Sequence, residues 1–262
     1  MKMSKEHNDF IKKQKRKRLY IILIQIFIMI VFLVTWEILG RKELINTFIT
    51  SMPSKIINTI YELFRNGNLI HHIFVTLYET ILSFFITFVI SLVISILIYE
   101  IPTFDKIIDP YLTLFNSLPK VALGPLIIIW IGANGKSIII MAIFISIIVS
   151  IQSISLGFKN TNKDRIKILK TFKASEFNIL KLAVIPSNYN TIINTCKMNI
   201  GLCLIGVVMG EFLTSKAGIG YLILYGSQVF NLTLVLSGIV ILLILSITLY
   251  LLIRIIEKHL DF

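Results

Sequence analysis

An all-helical membrane protein with about six transmembrane helices is the fold that this sequence predicts. Its 262 residues are 56% hydrophobic and only 15% charged, whereas soluble domains have about 25% charged residues. Apolar segments of about 20 residues, the length that crosses a bilayer as a helix, recur along the chain. Basic residues gather beside them, with eight of the 26 in residues 1–18 and seven in residues 159–181. The net charge of +12 therefore indicates contact with anionic lipid headgroups rather than with nucleic acid.

The chain should begin with a basic cytoplasmic segment, residues 1–18, and a first transmembrane helix, residues 19–39. The basic segment is polar, and we expect it to be frayed. The apolar stretch is as long as a span requires. It ends in Thr35-Trp36-Glu37, where a signal peptide would carry a small-residue cleavage site. We therefore expect an uncleaved span.

Residues 40–72 form an external loop that contains one amphipathic helix. This helix should start at Pro53-Ser54 and stop at Gly67. Its apolar face consists of Ile56, Ile57, Ile60, Leu63 and Phe64. We expect the face to pack against the spans at the outer surface.

Residues 73–258 form the core, with five more transmembrane helices. The second span should cover residues 73–98, the fourth 137–158 and the sixth 229–253. A short acidic turn, Glu100 to Asp109, should follow the second span, because Pro102 and Pro110 interrupt helices.

The third span, residues 111–131, is predicted to be broken. Polar and proline residues interrupt it at Asn116, Ser117, Pro119 and Lys120, and Gly124-Pro125 interrupts it again. Breaks free backbone groups, which is tolerable only against protein or water, and they are among the better indicators of a transport path. A plain proline kink is the alternative.

The fifth span, residues 188–212, contains a lysine and several glycines. Lys197 could face a polar cavity, as part of the same path, or extend to the interface. Gly201, Gly206 and Gly210 suit close helix packing. Glu211 lies at the outer end, where we expect a capping or ion-pairing role.

No catalytic, metal or nucleotide site is predicted. Residues 132–137 resemble the end of a phosphate-binding loop, but Trp130 occupies the position of its first glycine, so we expect a turn. Cys196 and Cys203 are about 10 Å apart along one helix, too far for a disulfide. We expect no metal and no cofactor.

The longest polar interruption in the second half of the chain is the 159–186 loop. It carries seven basic residues and two acidic ones. Apolar residues recur at helical spacing, first at Ile166, Leu169 and Phe172, then at Phe177, Leu180 and Val184, and Pro186 should end the pattern. Such helices lie in the lipid interface or dock on a soluble partner.

Six spans with a cytoplasmic N-terminus place the 159–186 loop and the C-terminus in the cytoplasm as well. In that arrangement 18 of the 26 basic residues fall in cytoplasmic segments and six in external ones. This distribution agrees with the positive-inside rule.

The 159–186 loop resembles the "EAA" loop of permeases in bacterial importers driven by ATP hydrolysis, whose spacing is E-A-A-x3-G-x9-I-x-L-P. Lys167, Ile168 and Leu169 stand at E-A-A, Lys173 at the glycine, Ala183 and Ile185 at I and L, and Pro186 at the proline. Ala174-Ser175 follow as in the nitrate/sulfonate/taurine branch. The acidic residue and the glycine are both lysines here, which leaves open whether coupling differs.

Further motifs, in the family's order, extend the resemblance from Pro53 to the C-terminus. These are Pro53-Ser54, residues 67–69, Thr76-Leu77, Leu118-Pro119, residues 124–126, residues 130–132, Gly201-Leu202, residues 205–208, Glu211-Phe212 and residues 218–223.

The resemblance implies the architecture of a type I ABC importer permease with a cytoplasmic coupling helix in the 159–186 loop. It implies a bacterial inner or plasma membrane, a second copy of the chain, separate cytoplasmic ATPase subunits and an external solute-binding protein. The residues that would couple to the ATPase are Ile166, Lys167, Leu169, Phe172, Lys173, Ala174, Ser175, Phe177 and Pro186, with Ile166, Leu169, Phe172 and Phe177 as the docking face. Packing of that face under the membrane domain is the alternative.

The solute stays open between a sulfonate-, taurine- or nitrate-like compound and one that resembles a thiamine precursor. An ion-coupled secondary transporter is the alternative function; acidic or histidine relays inside the spans would indicate it. A membrane enzyme is the third hypothesis, for which the spans offer no convergent set of reactive side chains.

Overall fold

The computed structural model describes residues 5–260, and all regular structure in that range is helical. The helices are α1 (Lys5–Arg41), α2 (Thr47–Thr50), α3 (Pro53–Arg65), α4 (Asn68–Glu100), α5 (Pro102–Ser117), α6 (Gly124–Ile131), α7 (Gly135–Lys159), α8 (Lys163–Thr171), α9 (Glu176–Ile179), α10 (Ile185–Ser187), α11 (Tyr189–Thr214), α12 (Ile219–Gln228) and α13 (Leu232–Leu260). A 3₁₀ turn, Lys120–Leu123, precedes α6, and a π-helical turn, Leu180–Val184, joins α9 to α10.

Five helices within the described residues are long and apolar enough to cross a membrane. They lie at Arg16–Arg41, Asn68–Glu100, Gly135–Lys159, Tyr189–Thr214 and Leu232–His259. The pair Pro102–Ser117 and Lys120–Ile131, bent by 89°, makes a sixth if it is one span. The predicted all-helical class with about six spans is confirmed. The break of the third span is a right-angle bend.

Helix α7 is the centre of the bundle, because both α4 and α11 pack along it. Small polar side chains make the first contact: the hydroxyls of Thr87 and Ser146 are 3.1 Å apart, and Ser95 Oγ donates to the Ile151 carbonyl at 3.2 Å. Small side chains allow helix backbones to approach closely in a membrane. The core is therefore held by close backbone packing as well as by apolar burial.

Helix α1 lies at the edge of the bundle. Its apolar window has no buried residue in the described chain, and α3 is its main neighbour. Glu37 connects the two helices, because its Oε2 accepts from the Ser54 backbone N–H at 3.1 Å. The loop helix α3 in turn buries Ile56, and its partner on the other side is α13.

Two sequence predictions near the ends of helices are wrong. The basic segment is helical from Lys5 and continuous with the first span, because lysine, arginine and glutamine favour helices; residues 1–4 lie outside the described part. The predicted turn from Glu100 to Asp109 is mostly helix. Proline suits the first turn of a helix, so Pro102 starts α5, and α5 continues through Pro110.

The predicted turn at residues 132–137 is present. Gly132 has a positive φ of 93°, which glycine adopts without strain. Asn134 then caps α7, since its side-chain oxygen accepts from the N–H of Lys136 at 2.9 Å. The residues that resembled a phosphate-binding loop thus start a transmembrane helix.

Candidate functional site

The 159–186 loop folds as a short helix, a tight turn and a second helical stretch. Helix α8 begins at a cap, because the Asn162 side chain accepts from the Asp164 N–H at 2.8 Å. It ends in a Schellman turn: the Ala174 N–H donates to the Leu169 carbonyl at 3.1 Å, and the Lys173 N–H donates to the Lys170 carbonyl at 2.9 Å.

Lys173 adopts the left-handed conformation in this turn, with φ 56°. Glycine is the usual residue at such a helix end, and Lys173 stands where the family pattern has its glycine. The turn is therefore formed with a lysine, at a cost of about 1–2 kcal/mol for an L-residue in that conformation. Ser175 then starts α9, because its Oγ accepts from the Asn178 N–H at 3.3 Å.

The structure divides the predicted docking face into an inner and an outer part. Ile166, Leu169 and Ala174 are partly buried. They pack on a cluster that we call the loop core, which consists of Ile154, Phe158, Ile179, Leu180 and Val184. Ile166 and Leu169 were predicted to belong to the docking face, with packing under the membrane domain as the alternative, and their contacts with the loop core agree with that alternative.

The outer part consists of large apolar side chains that no described residue covers. Phe172 is 79% exposed, Phe177 69% and Ile168 57%. Ile168 was missed as a docking residue although its spacing to Phe172, four residues, was visible in the sequence. It lies two residues, about 200°, from Ile166 on a helix. We call Ile168, Phe172 and Phe177 the docking patch.

Charged side chains surround the docking patch. Lys167 pairs with Asp164 at 3.6 Å, and Lys170 pairs with Glu176 at 3.1 Å, both on the exposed side. Exposed pairs of this kind contribute little to stability. The patch is thus an apolar surface on a loop that carries seven basic and two acidic residues.

The two ends of the 159–186 loop are tied to each other. The Asn188 side-chain amide donates to Thr161 Oγ1 at 2.7 Å, and both residues are buried. Arg165 Nη1 donates to Ser187 Oγ at 2.9 Å on the surface. The end of α7 and the start of α11 are therefore connected through the loop. Pro186 does not end the helical pattern as predicted, because it lies in the first turn of α10, where proline is tolerated.

The predicted break of the third span lies between α5 and α6, and we call residues 116–120 the break. Asn116, Ser117 and Pro119 are exposed, and Lys120 is half-buried. The Lys120 ammonium donates to Asn116 Oδ1 at 3.2 Å and to the Ile145 carbonyl of α7 at 3.5 Å. The structure thus brings Asn116 and Lys120 of the break together.

Lys197 lies elsewhere and has a partner of opposite charge. Its ammonium is 2.7 Å from Glu257 Oε2 on α13, and both side chains are mostly buried. The sequence left open whether Lys197 faces a polar cavity or extends to the interface, and the structure adds a partner that neither expectation included. Lys197 forms an ion pair between two spans, which sequence periodicity could not reveal because the partner is 60 residues away.

The three glycines of α11 have different surroundings. Gly206 faces the backbone of Ala142 on α7, and a Cβ at Gly210 would lie 3.0 Å from Ile138 Cα. A Cβ at Gly201 would meet no described atom within 4 Å. Gly206 and Gly210 therefore lie at a close helix contact, and the expected packing role of Gly201 is corrected.

Glu211 caps a helix at the far end of α11. It is fully buried, and its oxygens accept from Thr76 Oγ1 and from the Gly220 N–H, each at 2.6 Å. Gly220 lies in the first turn of α12, where a negative charge is favourable. A second buried carboxylate, Glu79, lies on α4, and the sequence pattern did not single it out.

Comparisons with known proteins place this geometry among transport proteins. The family model "Binding-protein-dependent transport system inner membrane component" matches residues 88–262. A Bacillus subtilis protein described as a putative aliphatic sulfonates transport permease is 22% identical over 91% of this chain and 87% of its own. The taurine transport system permease protein of Escherichia coli is 22% identical over 88% and 86%. The riboflavin transport system permease protein of Chloroflexus aurantiacus is 26% identical over 88% and 86%.

Solved structures share the fold at low sequence identity. A chain of the inward-facing MetNI methionine ABC transporter matches with a TM-score of 0.65 and 18% identity, over 73% of this chain and 95% of its own. A chain of a bacterial ABC transporter involved in the import of alginate matches with a TM-score of 0.65 and 13% identity, over 95% and 99%.

Proposed function

Because the chain belongs to the family of the binding-protein-dependent transport system inner membrane component, it is a permease subunit of an ATP-driven importer, and we propose how its parts serve that function. It is a multi-pass membrane protein, and it is a transport subunit rather than an enzyme. No observation favours the ion-coupled alternative. We place the protein in the bacterial inner or plasma membrane, with both termini and the 159–186 loop in the cytoplasm.

The proposed assembly contains two copies of this chain, two separate ATPase subunits and an external solute-binding protein. The two copies would enclose the path, and hydrolysis of ATP would take place on the ATPase subunits. The family to which the chain belongs supports this assembly, and so do the apolar side chains of α5 and α6 that this protomer leaves exposed, such as Leu114 and Trp130.

The docking patch is the surface that we propose to seat on the ATPase. Phe172 and Phe177 carry this proposal, because two large aromatic side chains stay exposed on a loop whose inner face joins the loop core. Lys167 and Lys173 would face the partner from the rim of the patch. Ile166, Leu169 and Ala174 would transmit the movement of the loop to the spans, and Ser175 and Pro186 would shape the loop.

The break is the part that we propose to line the path. Asn116, Ser117, Pro119 and Lys120 interrupt a span, and exposed polar groups at such a position are compatible with water or protein but not with lipid. The solute would be sulfonate- or taurine-like, as the names of two relatives suggest, or nitrate-like, or a heterocycle related to thiamine precursors. Riboflavin, which the name of a third relative contains, is also a heterocycle.

Co-purification with the ATPase tests the docking patch. We expect Phe172→Asp and Phe177→Asp to abolish recovery of an ATPase by the tagged chain from detergent extracts, because each puts a charge into an apolar contact. We expect Leu169→Asp to lower the yield of folded chain instead, because Leu169 packs against the loop core.

Phe230→Asp is the matched control. Phe230 is 73% exposed, close to Phe172 at 79%, but it lies between α12 and α13, on the side of the bundle opposite the 159–186 loop. This variant should recover as much ATPase as the unchanged chain. Full recovery by both patch variants would reject the docking patch.

A further inference from the structure

Lys120 places a positive charge near the middle of the membrane domain. Its ammonium donates to the carbonyl of Ile145, which is the eleventh of the 25 residues of α7. Because α7 crosses the membrane, its midpoint lies near the middle of the bilayer. A second contact agrees with this position of the break opposite the middle of α7. The ring of Phe115, just before the break, and that of Phe144 of α7 meet edge to face, with 6.5 Å between their centroids.

No negative charge compensates Lys120 among the described residues. Its two contacts, to Asn116 Oδ1 and to the Ile145 carbonyl, are with neutral oxygens, and none of the ion pairs includes it. Residues 137–158 of α7 carry no charge at all. The nearest acidic residue along α5 is Asp109, about 10 Å before Asn116 on a helical rise.

The surroundings of Lys120 differ from those of Lys197, the other lysine within a span. Lys197 is matched by Glu257 at 2.7 Å, as expected for a charge inside a membrane domain. Lys120 is half-buried beside three exposed residues of the break, and a charge at this depth is costly against lipid. A negatively charged group that enters the break would supply the counter-charge that the described residues lack.

We propose that Lys120 is the anion-recognition residue of the translocation path, so that the transported solute carries a negative charge. The ammonium, held by Asn116 and the Ile145 carbonyl, would receive an anionic group such as a sulfonate through hydrogen bonds and Coulomb attraction. Two copies would bring two such ammonium groups to one path. This inference rests on the proposed function, and it favours sulfonate-like solutes over neutral heterocycles.

Charge-dependent labelling of a cysteine in the break tests the inference without knowledge of the solute. Ser117→Cys introduces a nearly isosteric thiol at an exposed position of the break, and the native Cys196 and Cys203 are buried. The full chain, in membranes of the cells that produce it, is treated with the negatively charged sulfonatoethyl or the positively charged trimethylammonioethyl methanethiosulfonate. Labelling rates are normalised to those of a small thiol in solution, and the chain without Ser117→Cys gives the background.

We expect the anionic reagent to react faster with the introduced thiol than the cationic one does. Adding Lys120→Gln should lower the anion-to-cation rate ratio about tenfold or more, because the charge that attracts one reagent and repels the other is removed. Lys120→Arg should preserve the ratio. Lys136→Gln, which neutralises an exposed lysine at the start of α7, is the matched control and should also preserve it.

The other outcomes separate the two proposals. Labelling that shows no charge preference, or a preference that Lys120→Gln leaves unchanged, would overturn the anion inference while the break stays a water-accessible path. Absence of labelling by both reagents, from either side of the membrane, would overturn the path and the anion inference together.

Discussion

The turn at Lys173 shows how one residue can depart from a family pattern while the local structure is kept. The lysine takes the left-handed conformation that glycine would take, and the two hydrogen bonds of the Schellman turn form around it. Ala174 and Leu169, the residues next to these bonds, both pack on the loop core. Burial on either side of the turn thus stabilises a backbone conformation that is unfavourable for lysine itself.

The change in stability on substitution of Lys173 should therefore depend on the backbone preference of the new residue rather than on its charge. Lys173→Gly should leave the free energy of unfolding unchanged or raise it by up to about 1 kcal/mol, because the relief of strain exceeds the added chain entropy. Lys173→Val should lower it by about 1–2 kcal/mol, because a β-branched residue disfavours this conformation further. Thermal unfolding of the detergent-solubilised protein measures both.

Equal unfolding midpoints for the glycine and valine variants would contradict this explanation of the turn. Lys170→Gln serves as the control, since it removes one exposed positive charge from α8 without a change in backbone conformation.

The helices themselves were largely predictable, and their faces were not. Long apolar segments mark spans through composition alone, so α4, α7, α11 and α13 were found, and the clustered polar and proline residues located the break. Helix α8 carries apolar residues on two opposite sides, and periodicity cannot tell which side meets the core. For this reason the sequence left open whether Ile166 and Leu169 dock on a partner or pack under the membrane domain. The pairing of Lys197 with Glu257 depends on how α11 lies against α13, which no local pattern records.

Two glycines of one helix provide a matched test of packing. Gly206→Ala should lower the free energy of unfolding by about 1–3 kcal/mol, because the methyl group would press on the backbone of Ala142 in α7. Gly201→Ala should leave stability unchanged or raise it by up to about 1 kcal/mol, since the space is open and alanine favours helix. Both are measured by thermal unfolding in the same detergent.

The close contact between α7 and α11 would be disproved by a Gly206→Ala variant as stable as Gly201→Ala.

At the scale of the whole molecule, α7 joins the parts to which we assign functions. Its midpoint holds Lys120 of the break, and its end enters the 159–186 loop. The buried contact between Thr161 and Asn188 returns the loop to α11, which itself packs along α7. A displacement of the docking patch would therefore act on two packed spans at once.

Loss of the contact between Thr161 and Asn188 should separate docking on the ATPase from coupling to it. Asn188→Ala removes the hydrogen bonds to Thr161 and to the Val184 carbonyl but leaves the docking patch unchanged. We expect the variant to recover the ATPase fully in co-purification. We also expect the external binding protein to lose its stimulation of ATP hydrolysis in the reconstituted complex.

Thr171→Ala is the control, because the one hydrogen bond of the Thr171 hydroxyl among the described residues stays near α8, to the Lys167 carbonyl at 3.0 Å. An Asn188→Ala complex that is stimulated as strongly as the control would show that the tie does not transmit movement.

The contrast between α1 and α7 bears on how this sequence can diverge. Helix α1 buries none of its apolar window in the protomer, so hydrophobic length is the main demand on it, and many apolar sequences satisfy that demand equally. Helix α7 packs against two other spans, and its small side chains fit against the backbones of those spans. Few substitutions in α7 should therefore leave stability unchanged. Mutational drift should therefore accumulate fastest at the edge of the bundle and slowest in its central helix, and alignments of distant homologues should lose register first at the N-terminal end.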